Sequence, residues 1–169
     1  ALPPYASKPF RKGFQTSLAW PVKNGQRTPG KVAIFSTCYV NYNEPGIGRD
    51  LTKILGHNEI PFTIAAAEAC CGMPKLELGD LEQVEKLKDL NIPQLAALAR
   101  EGYAILTPIP SCTLMFKQEL PLMFPEDADV KAVQDEMWDQ FEYLVASNKD
   151  GLLKTDFKKP LGKASYHIP

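Results

Sequence analysis

Four cysteines, Cys38, Cys70, Cys71 and Cys112, are the residues of this chain with the most chemistry to offer. A thiolate is a nucleophile and a soft ligand, suited to iron–sulfur clusters and zinc. A disulfide scaffold fits the sequence poorly. At 169 residues the chain needs no staples, and its opening Ala1-Leu2-Pro3-Pro4-Tyr5 does not read as a secretory leader. Bonding Cys70 to its neighbour Cys71 would also strain the peptide between them. Reduced thiols are therefore expected. Gly72 follows the pair and lets the backbone turn tightly, leaving room for a bulky inorganic group.

Each cysteine position follows a stretch that reads as a strand. Residues 31–37 carry the continuous apolar run of a strand covered on both faces and end at Cys38. A helix is expected from Pro45 to His57, with Ile47, Leu51, Ile54 and Leu55 on one face. A second strand, Ile60 to Ala65, leads into Cys70-Cys71-Gly72. Asp80 is placed to cap a helix running to Gly102, which Pro93 should break or restart. A third strand, Tyr103 to Pro108, leads into Ser111-Cys112, followed by a short helix from Thr113 to Leu120. One long amphipathic helix is expected over Asp129 to Asn148, with Val130, Val133, Met137, Phe141, Leu144 and Val145 facing inward. A last strand is expected from Gly162 to Ile168.

This order predicts an α/β fold, a mostly parallel open sheet flanked by helices and joined by right-handed crossovers. In such a sheet ligands gather outside the carboxyl ends of the strands. The four sulfurs should therefore converge in a pocket of roughly 10 Å, the scale of one thiolate-ligated cluster. Residues 1–30 are rich in Pro and Gly and read as a linker or arm. Its Leu2, Phe10, Phe14, Leu18 and Trp20 are expected to lie on the core of a single domain spanning 31–169.

Other signals are weaker. The net charge is −1, from 19 basic and 20 acidic residues, with no basic cluster for nucleic acid. No apolar stretch reaches the length of a transmembrane helix. Gly46-Ile47-Gly48 lacks the rest of a dinucleotide fingerprint and reads as a turn before a helix. His57 is expected to cap a helix end or face water. His167 is a minor candidate for a fifth ligand. Glu68 and Glu77 bracket the cysteine pair. They read as exposed loop glutamates, with an electrostatic influence on the site as the alternative.

The spacing Cys38…Cys70-Cys71-Gly72…Cys112 resembles the cysteine-rich CCG domain family. That family includes the cysteine-rich component of heterodisulfide reductase and the iron–sulfur components of glycolate oxidase, lactate utilisation and anaerobic glycerol-3-phosphate dehydrogenase. The intervening segments hold 31 residues (39–69) and 39 residues (73–111), near the family's range. The contexts Ala69-Cys70-Cys71-Gly72-Met73-Pro74 and Pro110-Ser111-Cys112-Thr113-Leu114-Met115 also match. Met115 stands where the family pattern has the second Cys of Cys-x-x-Cys. The opening Leu2-Pro3-Pro4-Tyr5 resembles a link after a ferredoxin module, and residues 161–169 resemble the lead-in to a second such domain. The chain thus reads as the first CCG domain, excised from a larger protein.

The resemblance implies an iron–sulfur electron-transfer domain of a heterodisulfide-reductase-like oxidoreductase. Cys38, Cys70, Cys71 and Cys112 would ligate a cluster of the 4Fe-4S type. A second CCG domain and ferredoxin-like modules of the parent chain are the implied partners, and a flavoprotein dehydrogenase is a further one. The implied setting is cytoplasmic, reaching the inner membrane only peripherally through a partner. Two rivals remain open: a structural zinc site in an interaction module, and a metal-free thiol redox domain.

Overall fold

A computed structural model describes residues 4–165 of the chain. Four short strands, β1 (Val32–Ile34), β2 (Phe62–Ile64), β3 (Ala104–Thr107) and β4 (Met137–Asp139), form one sheet in the order β2-β1-β3-β4. All three pairings are parallel. Val32 lies opposite both Phe62 and Ala104, and Ile105 lies opposite Met137. The expected α/β architecture is the one observed.

Strand alternation builds two apolar layers, because successive side chains leave opposite faces. Ala33, Phe35, Ile105 and Met137 point into one layer. Its helical cover is α3 (Met73–Glu77), α4 (Leu81–Arg100), α5 (Pro110–Leu114), α6 (Leu120–Met123) and α7 (Ala128–Glu136). Val32, Ile34, Ala104 and Leu106 point into the other layer, beneath α2 (Pro45–His57) and α8 (Gln140–Lys149). Connections after β1 and after β2 therefore cover opposite faces. Strand order reverses between β1 and β3, and a crevice opens at that point. Phe35 and Phe116 lock the first layer edge to face, with ring centroids 5.0 Å apart. Truncating Phe35, which is wholly buried, is expected to cost about 3–5 kcal/mol.

The helix α2 spans the residues its pattern predicts, with Leu51 and Leu55 buried, although Ile54 on the same expected face is exposed. His57 is exposed at its end. Three other expectations are corrected. Pro93 does not break α4, which continues to Arg100. Pro93 and Asp89 both lie on the exposed face, so the carbonyl that Pro93 leaves unbonded meets water. The single helix over 129–148 is two helices separated by β4. Pairing of Met137–Asp139 with β3 resets the helical phase, and Phe141 and Val145 point outward rather than inward. Asp139 then opens α8 with a capping box, its side chain accepting from Phe141 N at 2.8 Å and Glu142 closing back on Asp139 N. The last strand is absent at 162–165, and its remainder, His167 included, lies outside the described residues.

Part of the arm lies on the core. Phe10 is buried, Phe14 and Trp20 pack on the second layer, and Leu18 is exposed; Leu2 lies outside the described residues. Ser17 pairs antiparallel with Phe62 and covers the open edge of β2.

Candidate functional site

All four thiols stand at the carboxyl edge of the sheet. Cys38 is the first residue of α1 (Cys38–Tyr42). It is placed there by Thr37, a β-branched residue held at φ 65°, where such residues are rarely found. Thr37 is buried, and its Oγ1 accepts from Val40 N at 3.2 Å, which starts α1 abruptly. Cys112 is the third residue of α5, one turn earlier in helix than the sequence pattern suggests. Pro110 opens that helix, and the Thr107 and Thr113 hydroxyls bond each other to tie it to the end of β3.

Cys70 and Cys71 stand on the loop after β2. Every residue of 65–70 is gripped through its backbone or side chain. Arg11 Nη2 donates to Ala65 O (2.8 Å) and Ala66 O (2.9 Å). Gln94 brackets Ala67, accepting from its N–H at 3.0 Å and donating to its carbonyl. The fully buried Asn91 accepts from Ala69 N at 2.9 Å and donates to Cys70 O at 3.0 Å. Glu68 accepts from Ser36 N and Ser36 Oγ and pairs with Arg11 at 2.9 Å. The loop is thus held by side chains from the arm, from the end of β1 and from α4. Gly72, at φ 101°, ends it and caps α3.

The thiols neighbour one another in a row, Cys38 beside Cys70, Cys70 beside Cys71 and Cys71 beside Cys112, each near enough to shift its neighbour's acidity. Cys38 is exposed and Cys70 half-buried, whereas Cys71 and Cys112 are buried. The outer end of the row faces a cleft of about 570 Å³ whose walls include Arg11, Asn41 and Tyr42. A larger groove beside it, of about 790 Å³, touches none of the cysteines.

Proximity splits the thiol acidities. The Cys70 thiol is pulled far below the ordinary thiol range, first by its hydrogen bonds from Cys38 and Cys71, then by Gly72 N–H and the Lys75 ammonium. Cys38 is pushed up by the hydrogen bond to Cys70 and by desolvation. Cys71 is pushed up by its bonds with Cys112 and Cys70 and by burial. Metal groups are bound by thiolates, so each ligation by a thiol releases a proton.

Among the described residues, no three His, Cys, Asp or Glu side chains already surround a single point as ligands of one ion. A row suits a group with several metal atoms better than a lone ion, which needs all its sulfurs within about 2.3 Å of one centre. Four soft donors, a glycine without a side chain and a half-buried setting fit an iron–sulfur cluster.

One residue near the site departs from expectation. Glu68 is not an exposed loop glutamate. Its side chain is only 5% exposed, and burial pushes its carboxyl up against the opposing pull of Ser36 and Arg11. Glu77 is exposed, as expected. Met115 is fully buried and starts a π-helical segment, Met115–Glu119, that turns both Met115 and Phe116 inward. Such local widening of a helix is frequent at functional sites.

A parallel sheet thus brings four free cysteines from three loops to one edge. The chain belongs to the cysteine-rich CCG domain family, whose model matches residues 32–117. It is 28% identical to one of the subunits of anaerobic glycerol-3-phosphate dehydrogenase from Escherichia coli over 170 aligned residues, covering 99% of this chain and 41% of that protein. It is 28% identical to lactate utilization protein A of Bacillus cytotoxicus, covering 81% of this chain and 56% of the relative. One of the subunits of fumarate reductase (CoM/CoB) from Methanothermobacter marburgensis is 30% identical over 111 residues, 65% of this chain and 20% of that protein. The chain therefore spans well under two thirds of these relatives. No solved structure matches it.

Proposed function

We propose that this chain is an electron-transfer domain that carries an iron–sulfur cluster of the 4Fe-4S type on Cys38, Cys70, Cys71 and Cys112. The observation that carries the reading is four neighbouring thiols delivered from three strand ends to one edge of the sheet. The similarity to subunits named for a dehydrogenase and a reductase supports a redox role over an interaction module. When bound, the cluster would supply one-electron storage. The protein's part is to hold the sulfurs, exclude water from Cys71 and Cys112, and tune the potential by burial and hydrogen bonds.

Within a heterodisulfide-reductase-like oxidoreductase, the domain would receive electrons from ferredoxin-like modules or a flavoprotein dehydrogenase and work beside a second CCG domain. No helix among the described residues is long and apolar enough to cross a membrane. A cytoplasmic setting, with contact to the inner membrane through a partner, accords with that.

The test is the visible absorption spectrum of anaerobically purified protein, read with metal analysis. A brown protein with a broad band near 400 nm is expected for iron–sulfur ligation. A colourless protein holding stoichiometric zinc, or one without metal, overturns the proposal.

A further inference from the structure

We propose that Arg11, Glu68 and Ser36 form a positioning network that sets the spacing of Cys38 and Cys70, making the N-terminal arm part of the thiol site. This rests on the reading of those thiols as ligands.

The network joins three segments far apart in sequence. Glu68 stands two residues before Cys70, and Ser36 two residues before Cys38. One carboxylate spans the two loops by accepting from Ser36 N at 2.9 Å and Ser36 Oγ at 2.5 Å. A carboxylate that is 5% exposed is costly unless neutralised. Arg11 supplies the charge, with Nη1 2.9 Å from Glu68 Oε1, while its Nη2 holds the carbonyls of Ala65 and Ala66. A planar fork can bond two carbonyls through one nitrogen while the other stands against the carboxylate as a charge contact without hydrogen-bond geometry; a lysine ammonium does this poorly. The arm is itself pinned to the helix that begins with Cys38. Arg11 N donates to Asn41 Oδ1 at 2.9 Å and Phe10 N to Asn41 O at 3.0 Å. The guanidinium therefore fixes the Cys70 loop while its own backbone is fastened to the Cys38 helix. Arg11 lies outside the segment that the family model matches, 32–117.

The experiment uses the full chain and cobalt(II) as a spectroscopic probe of the thiol site under anaerobic conditions. Arg11→Ala and Glu68→Gln are each expected to weaken cobalt binding by about 10- to 100-fold, the range for residues that orient metal ligands. The double variant should lose little more than the worse single one, since both cut one network. Arg11→Lys should stay nearer Arg11→Ala than wild type. Arg49→Ala, on the exposed face of α2, should bind as wild type does.

A second readout is the alkylation rate of each cysteine in the metal-free protein, resolved by mass spectrometry. Changes confined to Cys38 and Cys70 support the network even if stability also falls. A uniform rise at all four cysteines in the variants, or cobalt affinities within twofold of wild type, overturns it. Wild-type protein that binds neither cobalt nor iron defeats the ligand reading instead, and alkylation alone then decides whether the network positions the two thiols.

Discussion

Gly72 and Met115 share one small volume: a Cβ at position 72 would stand 3.3 Å from Cε of Met115. Gly72 is also held at φ 101°, a backbone region that residues with a side chain rarely adopt. Gly72→Ala is therefore expected to destabilise the protein by about 1–3 kcal/mol through backbone strain and crowding. Urea midpoints would measure the loss. Iron content after anaerobic reconstitution should fall with it, because Cys70 and Cys71 lie immediately before the strained residue.

The same contact brings position 115 beside the cysteine loop. Met115→Cys is expected to place a fifth thiol within reach of the site and to alter the electron paramagnetic resonance spectrum of the reconstituted domain. Thioether is a poor replacement for thiolate on iron, so the wild-type residue should not ligate. A spectrum identical to wild type would place position 115 outside the site.

Cys70 should be the reactive thiol of the metal-free protein. Its folded pKa is depressed, so its thiolate persists below the ordinary thiol value of about 8.5. Iodoacetamide at about pH 5 to 6 should label Cys70 before Cys38 and Cys71. Cys38→Ala removes the hydrogen bond that does most to hold that thiolate and should slow the labelling at acid pH. Peptide mass spectrometry over a pH series would report both.

Tyr143 offers a pH test remote from the cysteines. Its hydroxyl is buried, donates to Pro29 O at 2.8 Å, and has its pKa pushed up to about 12, chiefly by desolvation. The folded state thus holds the proton more tightly than the unfolded chain. The sign follows: this stability is complete below about pH 10 and is lost as pH rises towards 12. Two pH units correspond to at most about 3 kcal/mol. Tyr143→Phe should cost about 1 kcal/mol at neutral pH and flatten the decline above pH 10, both visible in thermal unfolding.

The three strands that carry the cysteines were legible because Val32–Ile34, Phe62–Ile64 and Ala104–Thr107 lie in short, largely apolar runs, with the thiols a few residues beyond each. Helix α2 was legible from the spacing of Leu51 and Leu55. What escaped the pattern depends on partners distant in sequence. Nothing local marks Glu68 as buried; its reason is Arg11, 57 positions away, and Ser36, 32 away. The strand Met137–Asp139 is hidden because Val130, Val133 and Met137 keep helical spacing right up to it. The one local sign of a new start is Asp139 with Glu142 three residues on, a capping pair inside an apparently continuous helix. Pro93 misled for the opposite reason: a local rule was outweighed by packing of Ile92, Leu95, Ala96 and Ala99 against the first layer.

The central place of β1 has a consequence for biogenesis. With β2 on one side and β3 on the other, no two neighbouring strands are joined by a hairpin, so every pairing must close a long stretch of chain. Such parallel pairings form slowly. Cys38, Cys70 and Cys112 leave the ribosome on separate segments and meet only after β1 has gathered both neighbours. Until then each thiol is open to oxidation and to stray metal ions. On the proposed reading, a cluster would be loaded late, on a folded scaffold, under conditions that keep the waiting thiols reduced.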